Sequence, residues 1–427
     1  MAFFETGRGS ARAWACAIWL AAGICTASAD DPEPDHSAPP GGLNPREIIQ
    51  MVAITFGDNY GLVDSRSVGG VPQIVDFLKG KSNPPGAGNP DNFDGAPARV
   101  TFFNTTLYMA PPSQTLIGGV AGQDQDRLNL YAWRDAYEAG HEMASLTVRH
   151  LNGGAAGHGE AECCRPRDWT AAEWAIEIGA STAMLLETPG TGAAIGEVRG
   201  FRAPYLSVND ALFEVLPIMG YTYDSSLPNC FAVHEDASNC SWPHRLGGGS
   251  ADLKVISEKF AGPEQAIPTV GPHEDLWEVP VTTLVVPPDE VAQQYAFRPG
   301  LRQRIVARGP MRYPSIFEES TGKIVGLDYT LLMDAGVSGD EMRAILEYNL
   351  DQHLEGNRAP LVFGAHAQLY AFSSAAANPD TPLLSMRDER WKGLTDFIYY
   401  ALRKPEVRLV GTGDVIDWIE RAERRER

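Results

Sequence analysis

Eight short runs rich in β-branched and aromatic residues recur along this chain, and helical patterns separate several of them. The runs are QMVAITF (50–56), ARVTFFN (98–104), HEMASLTV (141–148), GEVRGFR (196–202), YTYDSS (221–226), LWEVPVTTL (276–284), APLVFGAH (359–366) and VRLVGTG (407–413). Their length and content predict strands. The stretches 67–80, 167–187, 207–220, 338–356 and 413–427 carry apolar residues three to four apart and predict helices. Asp168 and Thr170 suit the start of the second helix, and Ser338 with Glu341 has the spacing of a capping box opening the fourth. Strand and helix in alternation predict an α/β fold on a parallel sheet, open or closed into a barrel. In such folds the loops after the C-terminal ends of the strands carry function. The loop-rich stretch from Asn229 to Gly271 reads as an insertion over one face rather than a separate domain.

The 427 residues are 44% hydrophobic and 21% charged, an ordinary globular balance. A formal charge of −20, spread without long acidic runs, argues against nucleic acid or anionic lipid as the main partner. Residues 1–29 have the pattern of a cleaved secretory signal. Arg8 and Arg12 precede a short apolar core, and Ala27-Ser28-Ala29 offers small residues at a cleavage site. The apolar run is short for a membrane span, so no integral membrane segment is expected after cleavage. Residues 30–45 form a Pro-rich linker with nothing to pack, and 46–427 the folded domain. Four cysteines follow the signal: Cys163, Cys164, Cys230 and Cys240. An even count in an exported chain favours disulfides, with Cys230 and Cys240 bracketing one short loop. The adjacent Cys163 and Cys164 fit a vicinal or a cross-loop bridge. Neither pair has zinc-cluster spacing. The expected location is secreted, periplasmic or extracellular.

Polar residues gather at predicted strand ends. Asp58 ends the first strand, His141 and His150 bracket HEMASLTVRH, Arg202 ends EVRGFR, Asp224 ends YTYD and His366 ends APLVFGAH. A carboxylate, histidines and an arginine at one barrel mouth are the parts of a metal-assisted hydrolase. Singly, a strand-end histidine is more often structural.

In that order the segments resemble the polysaccharide deacetylases (carbohydrate esterase family four, NodB homology), and are most similar to the chitin deacetylase branch. ITFGDNYG (54–61) is similar to that family's Thr-Phe-Asp-Asp motif, with TFFN (101–104) as the strand after it. GHEMASLTVRH (140–150) resembles the motif ending His-Thr-x-x-His, and GFRAPYL (200–206) matches the third almost letter for letter. GYTYDSSLP (220–228) and NRAPLVFGAH (357–366) correspond to later motifs. SWPHRL, LWEVPVTTL and GLDYTLL have counterparts as connecting segments. The resemblance covers nearly the whole chain after the signal.

It implies a deformed (β/α) barrel with loop insertions, a divalent metal, typically zinc, and removal of N-acetyl groups from a polysaccharide or oligosaccharide. Carried onto this sequence, Asp58 and His150 are metal ligands and Arg202 orients the base. Tyr205 lies beside the metal, with its backbone N–H on the oxyanion. His366 is the acid and Asp224 a candidate to tune it. Two positions depart from the pattern. Gly57 stands where the base Asp belongs, and Leu146 where a metal His belongs. Glycine accepts no proton and leucine binds no metal, so the site has lost half its chemistry. Arg202 is thereby left without its acidic partner. His158 and Glu160, in the Gly-rich loop after His150, are the candidates to replace a ligand or the base. Two readings follow: a deacetylase homologue with a degenerate site, or a glycan-binding or extracellular interaction protein on the same fold. Tyr60, Trp169, Tyr205, Trp242, Tyr370 and Phe372 are candidate sugar-stacking aromatics for either.

Overall fold

The computed structural model describes residues 36–59, 70–109, 125–156, 164–187, 193–231, 235–247, 270–311, 316–371 and 384–426. The signal, residues 30–35, Tyr60, His158, Glu160, Cys163 and Phe372 lie outside the described residues. The strands are β1 Gln50–Gly57, β2 Thr101–Asn104, β3 Glu142–Ser145, β4 Gly200–Phe201, β5 Tyr223–Asp224, β6 Pro228–Asn229, β7 His244–Leu246, β8 His273–Glu278, β9 Val281–Val285, β10 Phe317–Glu318, β11 Lys323–Val325, β12 Leu361–His366 and β13 Val407–Leu409. The helices are α1 Val71–Leu78, α2 Gln125–Glu138, α3 Ala171–Leu186, α4 Asp210–Ile218, α5 Leu301–Val306, α6 Gly339–Glu355, α7 Leu384–Leu402 and α8 Thr412–Glu426.

The main sheet runs β12-β1-β2-β3-β4-β5-β8-β7, with β13 also pairing β1. Every pairing is parallel except β7 with β8. A smaller sheet, β10-β11-β9-β6, lies alongside, with the Thr282 hydroxyl accepting from the Val362 amide at 2.9 Å. The result is an α/β fold on a curled, incompletely closed barrel, as the strand and helix alternation predicts. LWEVPVTTL makes two strands rather than one. The chain breaks at Val279-Pro280, because proline has no N–H to continue a ladder, and β9 joins the smaller sheet.

Strand alternation sorts β1 onto two faces. Val52, Ile54 and Phe56 join the buried cluster that holds Trp133 of α2 and Trp174 and Ile178 of α3. Met51 and Ala53 join the barrel interior with Phe103, Ala144, Leu146, Tyr223 and Trp277. The same parity in β12 sends Phe363 and Ala365 to the helix side and Val362 inward. Thr55, Gly57, Gly364 and His366 therefore continue the interior face towards the mouth. Gly364 has a packing reason: a Cβ there would stand 2.3 Å from the Leu327 side chain.

Helix ends carry side-chain caps, at Thr170 and Ser338 as expected. Thr170 with Glu173 and Ser338 with Glu341 form capping boxes, each satisfying two backbone donors. Asn209 caps α4 by accepting from the Leu212 amide. Cys230 and Cys240 are bonded to each other, and Cys164 is also disulfide-bonded. Residues 36–45, expected to be an unpacked linker, instead pack on the domain: His36 on the segment just after Cys240, and the turn at Pro40–Gly42 against α8. The His36 ring stacks on His244 at 3.9 Å, and the Trp242 amide donates to the His36 carbonyl at 2.8 Å. Among the described residues no helix is long and apolar enough to cross a membrane.

Candidate functional site at the strand mouth

The loop after β1 is built by two consecutive left-handed residues, Asp58 (φ 62°) and Asn59 (φ 60°). Asp and Asn tolerate this region better than other side-chain-bearing residues. Asn59 fixes it from below, donating to the Phe56 carbonyl, the Phe103 carbonyl and Asn104 Oδ1 at 2.8–3.0 Å. The Trp133 indole N–H donates to the Asn59 carbonyl at 2.9 Å. Asp58 is thereby held up at the mouth. Positive φ recurs at Thr147, His150 and Tyr205. Such conformations cost about 1–3 kcal/mol each and are held in place by the surrounding structure.

Asp58 Oδ1 lies 3.4 Å from His150 Nε2 and accepts from the Thr105 hydroxyl at 3.1 Å. Its Oδ2 faces the Gln368 amide nitrogen at 3.5 Å. Both carboxylate oxygens thus have partners within the protein. Burial lowers the His150 pKa, Asp58 opposes that, and His366 adds to it, so His150 is neutral at neutral pH. The Tyr205 ring packs against His150 at 4.9 Å, and its hydroxyl is 3.5 Å from Cys164 Sγ. Burial, with Asp58 beside it, raises the Tyr205 pKa.

His366 stands across from Gly57 in the β1–β12 register. Its carboxylate partner is Asp328, just past β11 in the segment GLDYTLL, and not Asp224. His366 Nδ1 is 2.6 Å from Asp328 Oδ1, and its amide donates to Oδ2 at 2.8 Å. Burial pulls the His366 pKa down, but the Asp328 charge and hydrogen bond outweigh it and hold the value above an ordinary histidine. Asp224 sits elsewhere, accepting from the Ser226 amide and hydroxyl at 2.8 Å and hydrogen-bonding to Glu278. Burial raises both acids; the hydrogen bond from Glu278 counters the rise in Asp224, whereas the Asp224 charge lifts Glu278 further.

Arg202 is not left unpartnered. Its guanidinium donates to the Ser225 carbonyl, the Ser225 hydroxyl and the Thr55 hydroxyl at 2.7–2.8 Å, and lies over the Phe103 ring at 4.3 Å. Neutral acceptors have taken the place of a carboxylate. Burial brings its pKa down to about 10, with Tyr223, Asp224 and Glu278 opposing, so it stays charged.

Gly57 and Leu146 meet at the centre of the mouth. A Cβ on Gly57 would stand 3.6 Å from Leu146 Cδ2 and 3.7 Å from His366 Cδ2 and Nε2, all ordinary contacts. Leu146 is 3% exposed. The two departures from the motif pattern are therefore neighbours in space. A zinc or related metal needs three protein donors beside an open position. Here the described residues offer Asp58 and His150, with both Asp58 oxygens already engaged and an apolar side chain filling the interior beside Gly57. Among the described residues no group of three His, Cys, Asp or Glu side chains could hold a metal ion. The described donor set does not fit the expected metal.

His141 and Glu142 belong to the opposite, N-terminal end of β3. His141 Nδ1 accepts from the Val100 amide, and Glu142 accepts from Thr101, Tyr223 and the Gly413 amide at the start of α8. Their role there is structural. Trp169, Trp242 and Tyr370 are buried core residues. Among the described residues an exposed ring at the mouth is Tyr329, 40% exposed and 6.0 Å edge-on from His366. Sequence reasoning missed Asp328, Tyr329, Thr105 and Gln368. GLDYTLL was a visible signal for the first two, whereas Thr105 and Gln368 carry none.

No protein-family model matches the sequence, and no curated protein matches it. Solved structures give distant likenesses. A Mycobacterium smegmatis protein assigned to the polysaccharide deacetylases aligns at 15% identity over 90% of this chain and 94% of its own, with a TM-score of 0.44. A Pseudomonas aeruginosa protein of the same assignment aligns at 12% identity over 90% and 94%, with a TM-score of 0.45. A family-four carbohydrate-esterase pseudoenzyme from Bacillus anthracis aligns at 12% identity over 56% of this chain and 59% of its own, with a TM-score of 0.26. At this distance no neighbour's activity carries over.

Proposed function

We propose that this chain is an exported polysaccharide-deacetylase homologue that holds an N-acetylated, chitin-like glycan at the strand mouth and does not hydrolyse it through a metal. The observation that carries this reading is that Leu146 Cδ2 lies 3.6 Å from where a side chain at position 57 would begin, beside His366. It sets an apolar side chain and an empty position where hydrolysis needs a nitrogen ligand and a base. Loss of a general base alone costs about 10²–10⁴ in rate. Partly exposed polar groups remain around the mouth, with Tyr205 and Tyr329 as rings beside them, a combination suited to a sugar. The Cys230–Cys240 bond supports export, since disulfides persist in oxidising compartments. The acidic surface opposes nucleic acid as a partner.

The retained His366–Asp328 pair favours a second reading, slow deacetylation with His158 or Glu160 supplying the missing group. Calorimetric titration of the chelator-treated chain with N-acetylated and fully de-N-acetylated oligosaccharides of equal length tests the first. Binding of the N-acetylated ligand without metal is expected. No binding of either ligand refutes it.

A further inference from the structure

A second concavity lies at the end of the barrel opposite the mouth. Arg358 precedes β12 and Ile48 precedes β1, so both stand where those parallel strands begin. The open groove beside Arg358 has a volume of about 660 Å³, within the range of small-molecule sites. Pro45 and Arg46 of the N-terminal segment, Leu354 and Glu355 at the end of α6, and Arg358 itself line it. Arg358 is 9% exposed, on a left-handed backbone (φ 59°). Its Nη1 donates to the Ile48 carbonyl at 2.6 Å, whereas its Nε is buried with no partner among the described residues. The Glu406 charge reaches this guanidinium, but the two form no ion pair among the described residues. A buried donor without an acceptor is destabilising, and a charged one more so. The Nε–Nη2 edge left over is the side of the fork that takes a carboxylate through two parallel bonds.

We propose that this groove binds a sugar acid, with the carboxylate on the Nε–Nη2 edge of Arg358 and Arg46 as a second cation beside it. The rest of the lining decides which anion fits. Glu355 and the carbonyl end of α6 are negative and lack donors of their own. A bare oxyanion such as sulfate meets only repulsion from them. Hydroxyls flanking a carboxylate donate to them instead. Pro45 and Leu354, both half-buried, give apolar surface for the C–H face of a pyranose ring. The N-terminal segment supplies one wall because it packs on the domain. The groove is separate from the strand mouth, and the proposal does not depend on what the mouth holds.

Saturation-transfer difference NMR on the full chain tests it, with glucuronate, glucose and sulfate as probes. Glucuronate should bind, glucose should not, and sulfate should compete weakly. Arg358→Lys keeps the charge and loses the fork, and should weaken glucuronate binding roughly ten-fold or more. Arg46→Ala changes an exposed side chain and should weaken it about two- to five-fold. If Arg358→Lys does not fold, Arg46→Ala decides alone. An oligosaccharide with internal uronate units separates the sources: binding like the monomer's assigns the groove to a polymer, and exclusion assigns it to free sugar acids. Absence of glucuronate binding overturns the proposal, as does equal binding of glucose. Sulfate binding as tight as glucuronate makes the groove a plain anion site and overturns the sugar acid. Glucuronate affinity unchanged by Arg46→Ala places the ligand elsewhere and overturns it too.

Discussion

Leu146→His restores a nitrogen at the position the motif pattern reserves for one, and its consequences can be worked out in advance. Without metal the variant is less stable. Leu146 is 3% exposed and belongs to the interior cluster that includes Phe103, Ala144 and Tyr223. Losing its burial costs about 1.5–3 kcal/mol, and an unpaired imidazole in its place adds about 1 kcal/mol or more. Unfolding entropies of about 2 cal/mol/K per residue convert this to roughly 1 °C per kcal/mol for a domain of this length. The metal-free variant should therefore melt about 2–5 °C below the wild type. With zinc or cobalt it gains a third donor beside Asp58 and His150, enough for a site with one open position. At a metal concentration of 100 times Kd, binding returns about 2.7 kcal/mol, or roughly 3 °C. Differential scanning calorimetry with and without metal reads both effects, and cobalt absorption in the visible reports the coordination. The wild type should show neither response. A wild-type melting point that rises with metal as much as the variant's would mean that a third donor already exists, with His158 and Glu160 the residues to replace. A variant blind to metal would mean that position 146 does not face Asp58 and His150 as the argument requires.

Asp328→Asn should drop the His366 pKa below that of an ordinary histidine, because burial and Arg202 are then opposed only by the smaller effect of the Asp58 charge; the imidazole proton shifts followed against pH measure it. The raised His366 pKa contributes stability that is present at acid pH and lost as pH rises through it, and the variant should lack that contribution. Glu278→Gln should flatten the fall of stability with rising pH. Burial, with Asp224 beside it, lifts the Glu278 pKa well above 4.5, so its contribution is full below that value and is lost as pH climbs through the folded value. The slope difference in denaturant titrations at stepped pH is bounded by about 1.4 kcal/mol per pH unit. Cys230→Ser with Cys240→Ser should cost about 2–3 kcal/mol, from the closure entropy of a short loop, read as a shift of the denaturation midpoint.

The sequence made the fold legible where local chemistry and periodicity agree. Capping residues Thr170 and Ser338 start helices as their side chains dictate, and β1 and β12 read as strands because both faces are buried. LWEVPVTTL misled because its apolar content continues across Pro280 while its hydrogen bonding cannot. Residues 36–45 looked unpacked because their composition is polar and Pro-rich, yet His36 stacks on a histidine some 200 residues away, a contact no local pattern encodes. At the mouth, the strand-end residues Asp58, His150, Arg202 and His366 carried their own signals. Asp328 carried one only as part of the connecting segment GLDYTLL: it lies 38 positions before His366, and nothing local ties its carboxylate to that histidine. Arg202 was misjudged for a physical reason as well. Charge counting finds no acid for it, whereas a planar guanidinium can be satisfied by hydroxyls, a carbonyl and an aromatic face.

The most direct test of the account is acetate release from N-acetylated oligosaccharides by the purified chain, followed over long incubation without metal and with zinc or cobalt. The account predicts that the oligosaccharide binds and no acetate appears under any of these conditions. Metal-dependent acetate release that His366→Ala abolishes would contradict it, and would show that the mouth around Gly57 and Leu146 still performs the hydrolysis its motifs spell.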